Sequence, residues 1–492
     1  MGGNIRMGSF MTARRCMLAA TAPLALAACA TPTVDIAQPE VAVPADWQVS
    51  DPAPVSTDLT EYWTMLDDPL LTGFVEQAIL ENRDLAQSAA RLDQARASLV
   101  QARAGYLPSL SASGGANRDI GDFARDGVQF NLGADASWEM DLFGQISGNV
   151  AAAEGDLAAQ GYSLADLQRL IVGQVAVATI NARATAEQLA IARSTLAYQD
   201  DNLQIARWRN QAGLVSSLDV EQARTQRAQT AATIPLLESS LTATANSIST
   251  LIGEPPGRVL EAFLAEQSAS VPTPPMLAGF EAPAEVLRRR PDVRAAEASL
   301  VASTARIGVA RAQLLPLVRL SGSIGTGPVN AGSLFDIVTG GIFAGVSQLL
   351  FDGGRTAAQV DSAEAGARAS LAAWEQTILG ALEDVESSAV DQRTADQRVG
   401  INEEAVDAAN NAALLARSQY EAGLVDFRTL LTAENQLLSA RNQLVGAEAD
   451  RATAFVRLTQ ALGGGWTLSD DDIPPVVEAR FEQTGNSDRT AQ

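Results

Sequence analysis

Two hydrophobic rhythms run along this chain. From Phe130 to Glu139 the apolar residues Phe130, Leu132, Ala134, Ala136 and Trp138 alternate with Asn131, Gly133, Asp135, Ser137 and Glu139. A period of two marks a strand with unlike faces. Val318, Leu320 and Ile324 alternate with Arg319, Ser321 and Ser323 in the same manner. The pattern predicts four strands, at residues 108–117, 129–140, 316–325 and 342–351. Elsewhere the rhythm is helical. Leu189, Ala192, Leu196, Gln199, Leu203 and Ala206 follow a coiled-coil spacing, and Ala405, Ala409, Ala412 and Ala416 form a small-residue stripe. Helices are predicted at 85–104, 146–212, 217–252, 292–315, 356–422 and 427–462. The first and fourth are closed by Pro108 and Pro316, and Pro235 is expected to kink or break the third. The second and fifth stretches span about 100 Å at roughly 1.5 Å per residue, too long for a compact globule.

The elements occur twice. Ala212-Gly213-Leu214-Val215 returns as Ala422-Gly423-Leu424-Val425, an offset of 423 − 213 = 210. The same offset carries Ala223, Gln226, Gly144 and Gly253 onto Ala433, Gln436, Gly354 and Gly463. An offset of 208 carries Asp84 onto Asp292 and Pro108 onto Pro316. The chain therefore reads as a tandem duplication, 70–253 and 284–464, joined by a Pro-rich linker at 254–283.

Strands of about ten residues with one apolar and one polar face suit a tilted crossing of a bilayer, although a half-buried soluble sheet shows the same alternation. In the membrane reading Asp135, Glu139 and Arg319 face a lumen. Four strands cannot close around one, and an open edge in lipid leaves backbone groups unpaired. Three copies pooling about twelve strands would close a barrel. The fold class expected is a mixed membrane β-barrel and long α-helical barrel, built from an internally duplicated protomer that assembles as a trimer.

Composition narrows the chemistry. The 492 residues contain no His and no Lys, so all 35 basic residues are Arg. Without imidazole the usual general base and the commonest metal ligand are missing, so neither an enzyme nor a metal cofactor is expected. A net charge of −23 repels phosphates and disfavours nucleic acid as a partner. The two cysteines, Cys16 and Cys29, both lie near the N-terminus. There Arg14 and Arg15 precede an apolar stretch ending Leu26-Ala27-Ala28-Cys29, the order of a secretory signal over 1–28. The last four residues resemble a bacterial lipobox, which implies cleavage and covalent lipid on Cys29. Ala30, not Asp, follows, which favours sorting to the outer membrane. A lipid-anchored Pro-rich segment, 29–69, would then precede the first repeat, and an acidic tail, 465–492, would follow the second.

Three stretches carry a family resemblance: Arg289 to Pro316, the duplicated Ala-Gly-Leu-Val turn, and Ala461-Leu462-Gly463-Gly464-Gly465-Trp466. With them the chain resembles the TolC-type outer-membrane efflux proteins, within them the NodT-like lipoprotein branch serving RND pumps. The resemblance implies a homotrimer in the outer membrane of a Gram-negative cell, with a helical tunnel in the periplasm. It implies a periplasmic adaptor protein and an inner-membrane RND pump as partners. Gly213, Leu214, Val215, Gly423, Leu424 and Val425 would form the adaptor-docking tips. Asp219 and Tyr420 occupy the positions that the family links in its closed entrance gate. Thr429 and Thr432 stand where the second repeat usually carries acidic residues, with Asp426 as a nearby charge. A coiled-coil lipoprotein bridging membrane and periplasm is the alternative; it needs no bilayer-length strands.

Overall fold

A computed structural model describes residues 41–48, 58–122, 127–265, 270–275, 281, 283–326, 332, 336 and 338–467. The signal region, Cys29 and the acidic tail beyond 467 lie outside the described residues. After a short 3-10 helix, Tyr62–Leu66, come α1 (Pro69–Glu81), α2 (Arg83–Ala104), β1 (Ser109–Asn117), β2 (Gln129–Met140), α3 (Gln145–Gln211) and α4 (Ser217–Leu251). Short α5 (Arg258–Ala265) and α6 (Pro283–Arg289) lead to α7 (Pro291–Ala312), β3 (Leu317–Thr326), β4 (Val338–Ser347), α8 (Arg355–Glu421) and α9 (Phe427–Ala461).

The duplication is visible in the element lengths. Helices α3 and α8 each have 67 residues, α4 and α9 each 35, and α2 and α7 each 22. The start of α3 maps onto that of α8 by 355 − 145 = 210, and that of α2 onto α7 by 291 − 83 = 208. In each half one long helix runs from the sheet to a distant turn, about 100 Å away at roughly 1.5 Å per residue. Two shorter helices make the return path. Close approach lets them pack: a Cβ on Gly155 of α3 would lie 2.9 Å from the Ala302 backbone nitrogen of α7.

The largest core sits where the short helices wrap the middle of α3. Ile171, Val172, Val175, Ala176 and Ile180 meet Leu71, Phe74 and Val75 of α1, Leu241 and Ile248 of α4, and Phe455 and Val456 of α9. Asp68 opens α1 by accepting the Leu70 and Leu71 amides at 2.9 and 3.2 Å, and it takes a two-pronged bond from Arg183 at 2.9 and 2.8 Å. Arg290 is similarly enclosed, bonded to Asp292, Asp384 and the Ala461 carbonyl. Neither cluster was anticipated; single Arg and Asp residues carry no periodic signal.

Several expectations need correction. The fourth strand spans Val338–Ser347, four residues earlier than 342–351. Its register is fixed by β3, with Val338 opposite Thr326 and Ser347 opposite Leu317, so Leu349, Leu350 and Phe351 fall beyond it. Pro235 does not break α4, which continues unbroken through it. One missing N–H is tolerated in a 35-residue helix packed along α3. Within the coiled-coil seam, Leu189, Ala192, Gln199, Leu203 and Ala206 are buried and Leu196 partly so. Of the alanine stripe only Ala416 is buried, while Ala405 and Ala412 are exposed on the single protomer.

Candidate functional site

Two regions at opposite ends of the molecule carry the functional residues. At the far end each long hairpin reverses through the repeated Gly-Leu-Val. The Gly213 amide bonds the Asn210 carbonyl at 2.9 Å and the Leu214 amide the Arg209 carbonyl at 2.8 Å. Gly423 and Leu424 repeat this on Tyr420 and Gln419, at 3.0 and 2.8 Å. This is the Schellman termination, which requires a left-handed residue; Gly213 and Gly423 supply φ of 73° and 72°. The backbone therefore explains the glycines. It does not explain Leu214 and Leu424, which are 74% and 76% exposed. Val215 and Val425 are half-buried beneath them.

The expected gate residues lie just inside these turns, and the structure does not join Asp219 to Tyr420. Asp219 accepts the Ser216 amide at 3.3 Å, closing a capping box at the start of α4. The Tyr420 ring is buried against Phe427 at 5.4 Å, and its hydroxyl has no partner among the described residues. Asp426 accepts both the amide and the hydroxyl of Thr429, at 2.8 and 2.6 Å, and these bonds hold its carboxyl below the usual carboxylate range. Thr432 donates to the Arg428 carbonyl at 2.8 Å. Sequence reasoning missed Arg209. Its guanidinium lies 4.5 Å from the Tyr420 ring centre and reaches the Tyr420 and Glu421 carbonyls at 3.3 and 3.4 Å. One hairpin thereby caps the helix end of the other.

At the near end the strands form one antiparallel sheet in the order β1-β2-β3-β4. Paired residues share a face, so the register assigns the faces directly. Asp135 lies opposite Ser111 and Ser323, and Glu139 opposite Arg319, with that ion pair at 3.5 Å. The other face carries Leu110, Ala136, Trp138, Leu320, Ile342 and Val346. Among the described residues no helix is long and apolar enough to cross a membrane, and no group of three or more acidic, His or Cys side chains could hold a metal ion. An apolar sheet face at one end of helices about 100 Å long suits a protein that starts in a bilayer and projects from it.

Comparison with known proteins agrees with this. The family model described as "Outer membrane efflux protein" matches twice, over residues 74–254 and 282–464. Nodulation protein T of Rhizobium leguminosarum bv. trifolii is 31% identical over 413 residues, 82% of this chain and 88% of that protein. The pyoverdine export outer membrane protein OpmQ of Pseudomonas aeruginosa is 31% identical over 87% of this chain and 92% of its own length. Among solved structures, the outer-membrane channel OprN matches with a TM-score of 0.79 and 31% identity, covering 88% of this chain and 98% of that one. The chain belongs to the outer membrane efflux protein family: it is an outer membrane efflux channel protein whose sheet is the membrane part and whose long helices are the periplasmic part.

Proposed function

We propose that three copies close one conduit, through which small solutes delivered by a periplasmic adaptor and an inner-membrane RND pump pass out of the cell without chemical change. The observation that carries this reading is the open sheet. Strands β1 and β4 are both edges, of nine and ten residues, and no strand among the described residues pairs with their outer sides. Each unsatisfied group in hydrocarbon costs several kcal/mol, on the order of the net value of many contacts, so pairing β4 with β1 of a neighbouring copy is strongly favoured. Planar bilayers containing the purified protein should show discrete conductance steps. A water-soluble monomer without conductance would overturn the reading and favour the bridging lipoprotein.

The exposed Leu214 and Leu424 support the Gly-Leu-Val turns as the surface that an adaptor grips. Gly423→Trp should abolish export while leaving the amount of trimer in the membrane unchanged. Nothing lies within 4 Å of a Cβ at Gly423, but any side chain strains its φ of 72°; Gly423→Ala carries that strain without the bulk and should still export. The entrance is assigned to the same end, at Asp219, Tyr420, Asp426, Thr429 and Thr432. If a neighbouring copy supplies the link that the single protomer lacks, Asp219→Ala with Tyr420→Phe should raise single-channel conductance; an unchanged value removes the gate from these residues.

Lipid on Cys29 fits the course of the N-terminal segment. Trp47 belongs to the cluster of Val385 and Ala389, whereas Val41 and Val43 pack against that of Trp374, Ile378 and Ala381, earlier along α8. The chain thus approaches the sheet as it is followed back towards its start. Trp374 lies 374 − 355 = 19 residues along α8, about 28 Å below the strands. The 41 − 29 = 12 residues back to Cys29 can reach about 40 Å. Mass spectrometry of the mature N-terminus checks the anchor; an unmodified Cys29 rules it out.

A further inference from the structure

Above the tips, helices α3, α8 and α9 leave between them a cavity of about 200 Å³. Leu414, Leu437 and Leu438 give it an apolar wall, and Gln199, Arg417 and Arg441 contribute polar groups. Gln199 is 4% exposed, yet its Oε1 accepts no hydrogen bond. Arg417 donates to Glu434 at 3.0 Å and lies 5.4 Å from the Tyr198 ring centre, but its Nε–H is buried without an acceptor. Arg441 makes no hydrogen bond or ion pair among the described residues. Glu434, the one carboxylate in the lining, is already occupied by Asn202, at 3.0 and 2.9 Å, and by Arg417. Two guanidinium groups against one engaged carboxylate leave the lining with an excess positive charge. Its unused groups are guanidinium donors, the Gln199 and Asn410 amides, the Thr195 hydroxyl and an aliphatic wall.

We propose that this cavity binds a small hydroxylated carboxylate with an apolar body, of the hydroxybenzoate class. The carboxylate would meet Arg441 and the Arg417 Nε–H, the hydroxyl would donate to Gln199 Oε1, and the ring would lie on Leu414, Leu437 and Leu438. A planar guanidinium matches carboxylate geometry, and the wall selects an organic anion over an inorganic one. A bound molecule touches α3 of the first hairpin and α8 and α9 of the second, so it ties the two hairpins together. The site stands whether or not the conduit reading does.

The test uses the purified full-length protein and fluorine NMR with 4-fluorosalicylate as the probe. Saturable binding at one site per chain is expected, weakened at least about tenfold by Arg441→Gln, which removes a charged hydrogen-bonding partner. Gln199→Leu should weaken 4-fluorosalicylate but not 4-fluorobenzoate, which lacks the hydroxyl. Arg207→Gln, an exposed arginine of α3 outside the cavity lining, should leave binding unchanged. Size-exclusion chromatography shows that each variant keeps the wild-type assembly. Absence of saturable binding to the wild-type protein overturns the proposal. So does equal affinity in Arg441→Gln, tighter binding of 4-fluorobenzamidinium, or displacement by inorganic phosphate at the concentration that benzoate requires.

Discussion

Individual charges in this protein have unequal weight, and burial decides which matter. The Asp68–Arg183 pair is about 5% exposed on both sides and doubly bonded, whereas Arg193–Glu238 is 54% and 48% exposed. Removing one member of the buried pair strands the other, so Arg183→Ala should destabilise the fold by about 3–5 kcal/mol. Arg193→Ala should cost at most about 1 kcal/mol, because water and salt screen that pair. Urea unfolding followed by circular dichroism distinguishes the two. Asp292 adds a pH dependence. Its burial disfavours charge, but the Arg290 guanidinium bonded to it outweighs that and holds the carboxyl below its usual range. A depressed folded pKa means that stability is fully present above the unfolded value of about 3.9 and lost as pH falls through the folded one. Thermal unfolding between pH 5 and pH 2 should show that loss in the wild type and a smaller one in Asp292→Asn. Sequence alone gave no hint of these pairs: Asp68 and Arg183 lie 115 residues apart.

At the scale of elements, the helix ends were legible because local chemistry writes them. Gly213 and Gly423 stop α3 and α8 through a backbone conformation that other residues resist, and the helices end within a residue of expectation. The fourth strand was misplaced for a related reason. From Ile342 to Phe351 the residues are largely apolar, and nothing local marks where pairing stops. Hydrogen bonding to β3 settles it, and that is a long-range fact. Helix α1 escaped notice because Pro69–Glu81 is short and mostly apolar. The tips show in the sequence by their repetition, but their capping bonds and the reach of Arg209 to Tyr420 are set by the fold. Arg209→Ala should loosen the join between hairpins while leaving each intact. Faster amide exchange in 417–422 with unchanged exchange in the middle of α3 is the expected signature.

For the whole molecule, the sheet faces set the character of the pore. Asp135 is exposed, while Glu139 faces Arg319 across the strand pair, so the charges assigned to the lumen sum to one negative charge per chain. A modest preference for cations follows, read as reversal potential under a salt gradient. Arg319→Ala should strengthen it by freeing Glu139. The matched lengths of the two halves reach further. Because α3 and α8 begin beside the same sheet and have the same number of residues, both Gly-Leu-Val turns end at one level. Three chains arranged about an axis would then present six bends on a common plane, alike in backbone but flanked by Ser216 in one kind and Asp426 in the other. A ring-shaped partner meeting that rim encounters a sixfold outline with only threefold chemistry. Its subunits can seat at every position yet bind alternate ones with different strength.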